Sequence, residues 1–430
     1  MRSWLLLSYA LLGTGVWVQN GTYTPVAIIL VIASFVCLLM GVHGREMKMQ
    51  PVTIMWAALF LFGVLGVLKS PGTDIEATWF NGPTQIFFGI VSVLSAAGFW
   101  LRSRGKDMSV LMWMLFATIV GAVLLRILLL WASPSPQIDV WTGAQESAAH
   151  LLSGSNPYTT PITDPYRGRM AGVFPTAVAY MYLPVNLLLQ LPAFIFMHDV
   201  RAMHIVADII FALVLWQFGG GKKRGSDALL LPALWFLHPR GMHLIEQGWT
   251  EPMLIAIFAL SLLLLSKKRN VPGAVLLGLG IGMKQYLLPA LLLLPRLRLS
   301  KIAIAFGCIT LLLPFFAFLL WDPIAFIQNG VLFLLQTFFR TDSLSISSPL
   351  YVMTGIMLPK ATSAIIVFLA SGWALLKFKH VPQEHGYALG IVFSLFAAFL
   401  LGSQAFENYY AVVAGFLLIA IVTAKKEIAS

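Results

Sequence analysis

Apolar runs close to the ~20 residues needed to span a bilayer recur along this whole chain. Candidate spans cover 3–19, 25–43, 53–69, 84–101 and 109–133, then 202–218, 228–240, 251–266, 302–321, 360–377, 385–403 and 407–424. Basic residues fall in alternate loops: Arg45 and Lys48, Arg102 to Lys106, "GGGKKRG", "SKKRN", "RLRLSK", "KFKH" and "AKKE". The positive-inside rule makes all of these cytoplasmic. Two apolar stretches then fail as plain crossings. Residues 173–195 carry Pro175, Pro184, Pro192, Asn186 and Gln190, and a crossing there would strand Lys222, Lys223 and Arg224 outside. A re-entrant or membrane-surface element is expected instead. "VPGAVLLGLGIGMKQYLLPALLLLPR" is flanked by basic clusters on both sides, so a hairpin of two half-helices is expected, with Lys284 near its apex. The pattern predicts an all-α, polytopic transmembrane helical bundle of about 12–14 spans, with extracytoplasmic amphipathic helices and both termini cytoplasmic.

Composition agrees. The chain of 430 residues is 59% hydrophobic and 10% charged, against roughly 25% charged in soluble proteins. Its net charge of +11 comes from dispersed loop residues and orients the chain; it does not indicate nucleic acid. Cys37 and Cys308 lie in apolar runs, which argues against a disulfide framework or a thiolate metal site. The first apolar run lacks a small-x-small cleavage site and reads as a span. No repeat or low-complexity linker divides the chain. The simplest division is an N-terminal helical extension, 1–108, before a main module, 109–430.

The threading puts most acids outside: Asp74, Glu76, Asp139, Glu146, Asp164, Asp199, Glu246, Glu251, Asp322, Asp342 and Glu407. Any chemistry should therefore sit on the outer face. The strip "PQIDVWTGAQESAAHLLSGSNPY" reads as an amphipathic helix with Val140, Trp141, Ala144, Ala148, Leu151 and Leu152 on one side. Asp139, Glu146 and His150 fall opposite, about two turns and then one turn apart. The plain alternative is a surface helix with Asp139 as its N-cap.

A second polar island, "HPRGMHLIEQGWTEP", lies on the same side. Arg240 suits bidentate phosphate binding. His243, Glu246, Gln247 and Glu251 could bind sugar hydroxyls or form part of an ordinary loop. A His and two Glu permit a divalent metal, but the spacing matches no strong metal motif. Lys284, deep in a membrane protein, is costly unless functional, snorkelling or paired with an acid. Arg126 and Asp208 read as a buried structural ion pair. Arg167, Arg169, Arg340, Gln404, Glu407, Asn408 and Tyr409 are weaker candidates. There is no H-E-x-x-H, G-x-S-x-G or P-loop ending, and "GLGIGMKQ" fits close helix packing.

The order of a long span, Q-x-D, a polar amphipathic helix, "LLSGSNPY" and a Pro-punctuated apolar segment resembles the GT-C superfamily of integral membrane glycosyltransferases. It is most similar to bacterial mannosyltransferase-like families that use polyprenyl-phosphate sugars. The matching positions are Asp139, Leu151, Gly154, Asn156, Pro157 and Tyr158, then Lys284 after Gly278, Gly280 and Gly282, within roughly 109–424. In that family the span before the Asp usually comes first, whereas four candidate spans precede it here. The resemblance implies a GT-C-like fold and a plasma-membrane hexosyltransferase with an extracytoplasmic site and Asp139 as general base. Lys284 and Arg240 would bind the donor phosphate. Glu146, His150, His243, Glu246, Gln247, Glu251, Tyr158, Gln404 and Asn408 would bind substrate. The donor would be a lipid-linked sugar, mannose by that resemblance, with a lipid or glycan acceptor and no required cofactor. The competing reading is a polytopic transporter or lipid flippase, which would use intramembrane charges such as Arg126, Asp208 and Lys284.

Overall fold

The structure, a computed structural model, describes residues 1–105, 108–166, 178–333 and 339–424. The first five helices are α1 (Arg2–Val18), α2 (Pro25–Val42), α3 (Pro51–Leu68), α4 (Asn81–Ser103) and α5 (Met108–Ala132). Next come α6 (Asp139–Leu152), α7 (Pro184–Met197), α8 (Ala202–Phe218), α9 (Leu230–Phe236), α10 (Gly241–Glu246) and α11 (Glu251–Ser266). The chain continues through α12 (Asn270–Ile281), α13 (Leu288–Leu292), α14 (Lys301–Trp321) and α15 (Ser347–Thr354). It ends with α16 (Lys360–Lys377), α17 (Gln383–Leu401) and α18 (Glu407–Thr423). Proline opens several helices where a missing N–H costs nothing: Pro25 in α2, Pro51 in α3 and Pro252 in α11. Ser300 caps α14 by accepting from the Ala303 amide.

Among the described residues seven helices are long and apolar enough to cross a membrane: α2, α3, α4, α5, α14, α16 and α17. This is the make-up of a multi-pass membrane protein. Helices α1, α8, α11 and α18, of 17, 17, 16 and 17 residues, run between the same two ends of the bundle. Burial sorts them. Only 11% of the apolar stretch of α14 is buried, against 83% of that of α17. Side chains such as Leu313 and Leu320 form an outward apolar belt, while α11, α17 and α18 make the centre.

Contacts between distant segments define the two ends. At the basic end the Arg2 guanidinium donates to the Ala424 carbonyl, and Arg102 pairs with Asp227 at 2.7 Å. There too, Arg296 donates to the carbonyls of Lys379 (3.2 Å) and Val381 (2.9 Å). The acid-rich end gathers Asp139, Glu246, Glu251 and Glu407, each at or beside the end of a helix.

The hairpin expected around Lys284 is present. Gly282 ends α12, and Lys284 is extended (φ −141°, ψ 137°) before short helical turns. Lys284 meets Glu251 at the acid end, and Arg296 is back at the basic end. The glycines before the turn let α12 press against α14: a Cβ on Gly278 would strike the Gly307 carbonyl. Helix α7 has 14 residues, about 21 Å at 1.5 Å per residue and short of a ~30 Å hydrocarbon core. Its two flanks stay at the acid end. Tyr182 lies by Lys284, and the His198 carbonyl accepts from Gln145 of α6 at 2.7 Å. Residues 173–177 of that expected element, and Arg167 and Arg169, lie outside the described residues.

Two expectations need correction. Residues 228–240 do not form one span: α9 has seven residues, and Pro239 and Gly241 turn the chain into α10. Asp139 is not the N-cap of α6. Ile138 holds that position, without a side-chain cap, and Asp139 is the first helical residue.

Arg126 and Asp208 form the expected buried pair at 2.9 Å, with side chains 0% and 2% exposed. Arg126 also donates to the Phe236 carbonyl (3.0 Å), and Trp235 donates to Asp208 (2.9 Å). Arg126→Met strands a buried carboxylate and should cost about 3–5 kcal/mol, whereas Arg126→Met with Asp208→Leu should recover most of that. Thermal unfolding in detergent measures both, and equal losses in the single and double variants would contradict a buried pair.

Candidate functional site

The acid-rich end holds two polar clusters. The first is built on α10. Glu246 is fully buried, and its carboxylate accepts from the backbone amides of Thr73 (2.7 Å) and Asp74 (2.9 Å). Gly72 allows this approach, since a Cβ there would run into the Glu246 carboxylate. His243 engages Glu407 through Nδ1 (2.9 Å) and the Thr73 hydroxyl through Nε2 (3.1 Å). Gln247 donates to Asp74 at 2.8 Å. Arg240 donates to the Ser70 carbonyl (3.1 Å) and lies 3.5 Å from Glu407. Most of these groups are engaged with one another and with the 70–74 loop, while Arg240 Nε and Nη2 and Glu407 Oε1 are buried without a hydrogen bond. The cluster fastens α3, α10 and α18 together; of its four predicted members, His243, Glu246 and Gln247 hydrogen-bond within it, and Arg240 keeps two donors without a hydrogen-bond partner.

The second cluster surrounds the hairpin apex. Glu251, at the start of α11, accepts on Oε1 from Tyr286 (3.0 Å) and Asn408 (3.1 Å), with Lys284 Nζ at 3.4 Å. Its Oε2 is buried without a hydrogen bond. The Lys284 ammonium also stands 4.4 Å from the centre of the Tyr182 ring. Tyr286 packs against Tyr409 and Phe399. Asp139 approaches from α6. Tyr182 and Tyr409 both lie within electrostatic reach of Asp139 and of Glu251, which makes these residues one neighbourhood.

Asp139 accepts from the Tyr166 hydroxyl at 2.9 Å. Burial pushes its carboxyl above the usual carboxylate range, partly offset by Tyr166, by the amides of its own first turn and by Arg340. Carboxylate and tyrosine oppose each other: burial and then Asp139 hold the Tyr166 hydroxyl well above its ordinary value. Arg340 is gripped by Asp342 at 2.7 Å and 2.8 Å and contributes positive charge on the Asp139 side.

Comparisons with family models, with curated proteins and with solved structures found no match to this chain.

Of the predicted residues, the fold gathers Asp139, Glu251, Lys284 and Asn408, with Tyr409. Others go elsewhere. Glu146 accepts the Thr163 amide at 2.8 Å and staples the loop after α6. His150 is near the far end of α6, 11 positions from Asp139 and about 16 Å along the axis. Sharing a helical face does not bring them together. Tyr158 is fully buried among Tyr180, Phe318 and Phe326, and its hydroxyl donates to the Tyr182 carbonyl at 2.7 Å. It supports the loop carrying Tyr182. Gln404 lines a separate 160 Å³ cavity with Phe339, Met357 and Lys360. Among the described residues no three His, Cys, Asp or Glu side chains gather as metal ligands.

Sequence reading missed Tyr166, Tyr182 and Tyr286 as site residues. Tyr286 follows Lys284 by two positions and Tyr166 lies in the loop after Asp139, so proximity to a flagged charge was the available signal. The 72–74 loop offered none.

Proposed function

We propose that this chain is an integral membrane glycosyltransferase that moves a sugar, mannose by resemblance, from a polyprenyl phosphate to a hydroxyl of a glycan or lipid acceptor. One observation carries the reading. A half-buried carboxylate, Asp139, and a buried ammonium, Lys284, both lie within electrostatic reach of Tyr182 at the acid-rich end of the bundle. The reaction needs both. Asp139 takes the proton of the acceptor hydroxyl, whose oxygen attacks the sugar C1. The C1–O bond to phosphate breaks as the new bond forms, and polyprenyl phosphate leaves with the electron pair. Lys284 stabilises the charge growing on that phosphate. Arg240, whose Nε and Nη2 are buried without a hydrogen bond, stays a candidate for the same phosphate, and Arg340, paired with Asp342, adds positive charge on the Asp139 side. A single displacement by one base inverts the anomeric centre. The site would face the extracytoplasmic side of a plasma membrane, where the positive-inside rule puts the acid-rich end.

The transporter reading has less support. Its intramembrane pair, Arg126 and Asp208, is closed on itself and on Trp235, and the remaining polar groups concentrate at one end. Purified protein in nanodiscs with radiolabelled polyprenyl-phosphate sugars and candidate acceptors tests the proposal. Labelled acceptor is the expected product. No transfer from any donor, together with substrate-driven flux in vesicles, would replace this reading with transport.

Tyr166→Phe gives a pH test. The tyrosine hydroxyl stabilises the Asp139 carboxylate, so its loss raises that group's pKa further. The acid limb of the pH–rate profile should then move to higher pH. An unmoved limb would mean that Asp139 is not the titrating base.

A further inference from the structure

We propose that a second cavity, outside the Asp139–Lys284 cluster, is a binding subsite for a neutral, hydroxyl-rich ligand: the sugar portion of the acceptor. This rests on the glycosyltransferase reading above. The cavity has a volume of about 450 Å³, within the ~300–1,000 Å³ range of small-molecule sites. Its floor includes buried Tyr158 and Val178, and its rim carries Thr159, Asp322, Gln328 and Asn329.

The lining chemistry selects the ligand. Among the described residues it contains one carboxylate, two amides and two hydroxyls and no Lys, Arg or His, so none of them offers a phosphate a countercharge. A hydrocarbon tail would leave those polar groups without water or partners. A polyol satisfies both requirements, since amides and carboxylates can engage its hydroxyls as donors and acceptors. The polar groups are held in place with capacity to spare. Asn329 donates Nδ2 to the Tyr158 carbonyl at 2.8 Å, leaving its Oδ1. Asp322 uses Oδ1 to accept the Ala325 amide at 3.0 Å, leaving its second oxygen. Gln328 is exposed on the rim.

The cavity is mechanically joined to the candidate site. One wall, Phe326–Leu332, is wound as a π-helix, a form that recurs at functional sites. The Gly330 carbonyl of that wall accepts Gln285 Nε2 at 2.8 Å, one residue from Lys284. On the opposite side, Tyr158 of the floor donates to the carbonyl of Tyr182, whose ring faces the Lys284 ammonium.

Calorimetric titration of the nanodisc-held protein with neutral methyl glycosides and disaccharides tests binding without requiring transfer. Gln328→Ala and Asp322→Asn, the latter able to keep the helix cap, should each weaken binding by about 5- to 10-fold, the loss of one hydrogen bond. In transfer assays the same variants should raise the acceptor KM more than they lower kcat, while the donor KM holds. Absent glycoside binding, binding indifferent to both substitutions, or saturation by sugar phosphates or alkylammonium ions alone overturns the subsite. Substitution-sensitive binding without transfer from any donor upholds the subsite and removes the glycosyltransferase reading. Transfer with an unmoved acceptor KM does the reverse.

Discussion

Asparagine at position 139 is expected to lower transfer by about 10²–10⁴-fold, the usual contribution of a positioned general base, while leaving the protein at least as stable. The second half follows from the sign of the Asp139 shift. Burial raises its carboxyl above the unfolded value, so the fold disfavours the ionised form. The stabilising contribution is complete below the unfolded pKa and is lost as pH rises through the folded one. At neutral pH the native residue therefore costs stability. Asparagine removes that cost and still accepts a hydrogen bond from Tyr166. Thermal unfolding in detergent should show Asp139→Asn equal to or above the native protein at pH 7, with the difference closing in acid. Transfer within a few-fold of native, or a collapse in melting temperature, would sink the assignment.

A comparably large effect is expected at Lys284 and Glu251, split between activity and stability. Lys284→Met should reduce kcat by about 10²–10³-fold, as when a donor to developing charge is removed. It should weaken the fold less, because Glu251 keeps its hydrogen bonds from Tyr286 and Asn408. Glu251→Ala should be the more destabilising change, by about 3–5 kcal/mol. It leaves an ammonium only 4% exposed with the face of Tyr182 as its main neighbour. If Lys284→Met unfolds the protein more readily than Glu251→Ala, the hydrogen-bond arrangement around Glu251 is wrong.

Much of the architecture could be read from the chain because lysine and arginine positions constrain where it must return. "SKKRN" and "RLRLSK" forced the hairpin, and the hairpin put Lys284 beside the acids. "GGGKKRG" likewise required α7 to stay at one end. Local pattern was less informative about which polar side chains meet. Asp139, Glu146 and His150 share a helical face, yet the length of α6 separates them. Tyr158 stood in a motif that suggested ligand binding, whereas its size and amphipathic ring suit it to a buried brace. Glu246 looked available, but its partners are backbone amides 173 and 172 positions away, and backbone groups leave no mark in the sequence. In 228–240, Pro239 and Gly241 were visible breakers that the apolar run around them outweighed.

The loop at Gly72–Asp74 also has a consequence for the order of biosynthesis. Its two amides wait for a carboxylate made 173 residues later, on the order of 10–35 s at ~5–20 residues per second. Glu407, the partner of His243, arrives 164 residues after that histidine, and Asn408 adds a further hydrogen bond to Glu251 Oε1. A nascent chain thus carries Asp139 and Lys284 before α18 brings Asn408 to Glu251 and Glu407 to His243. Competence comes only when the last helix has entered, so unfinished chains in the membrane should be silent.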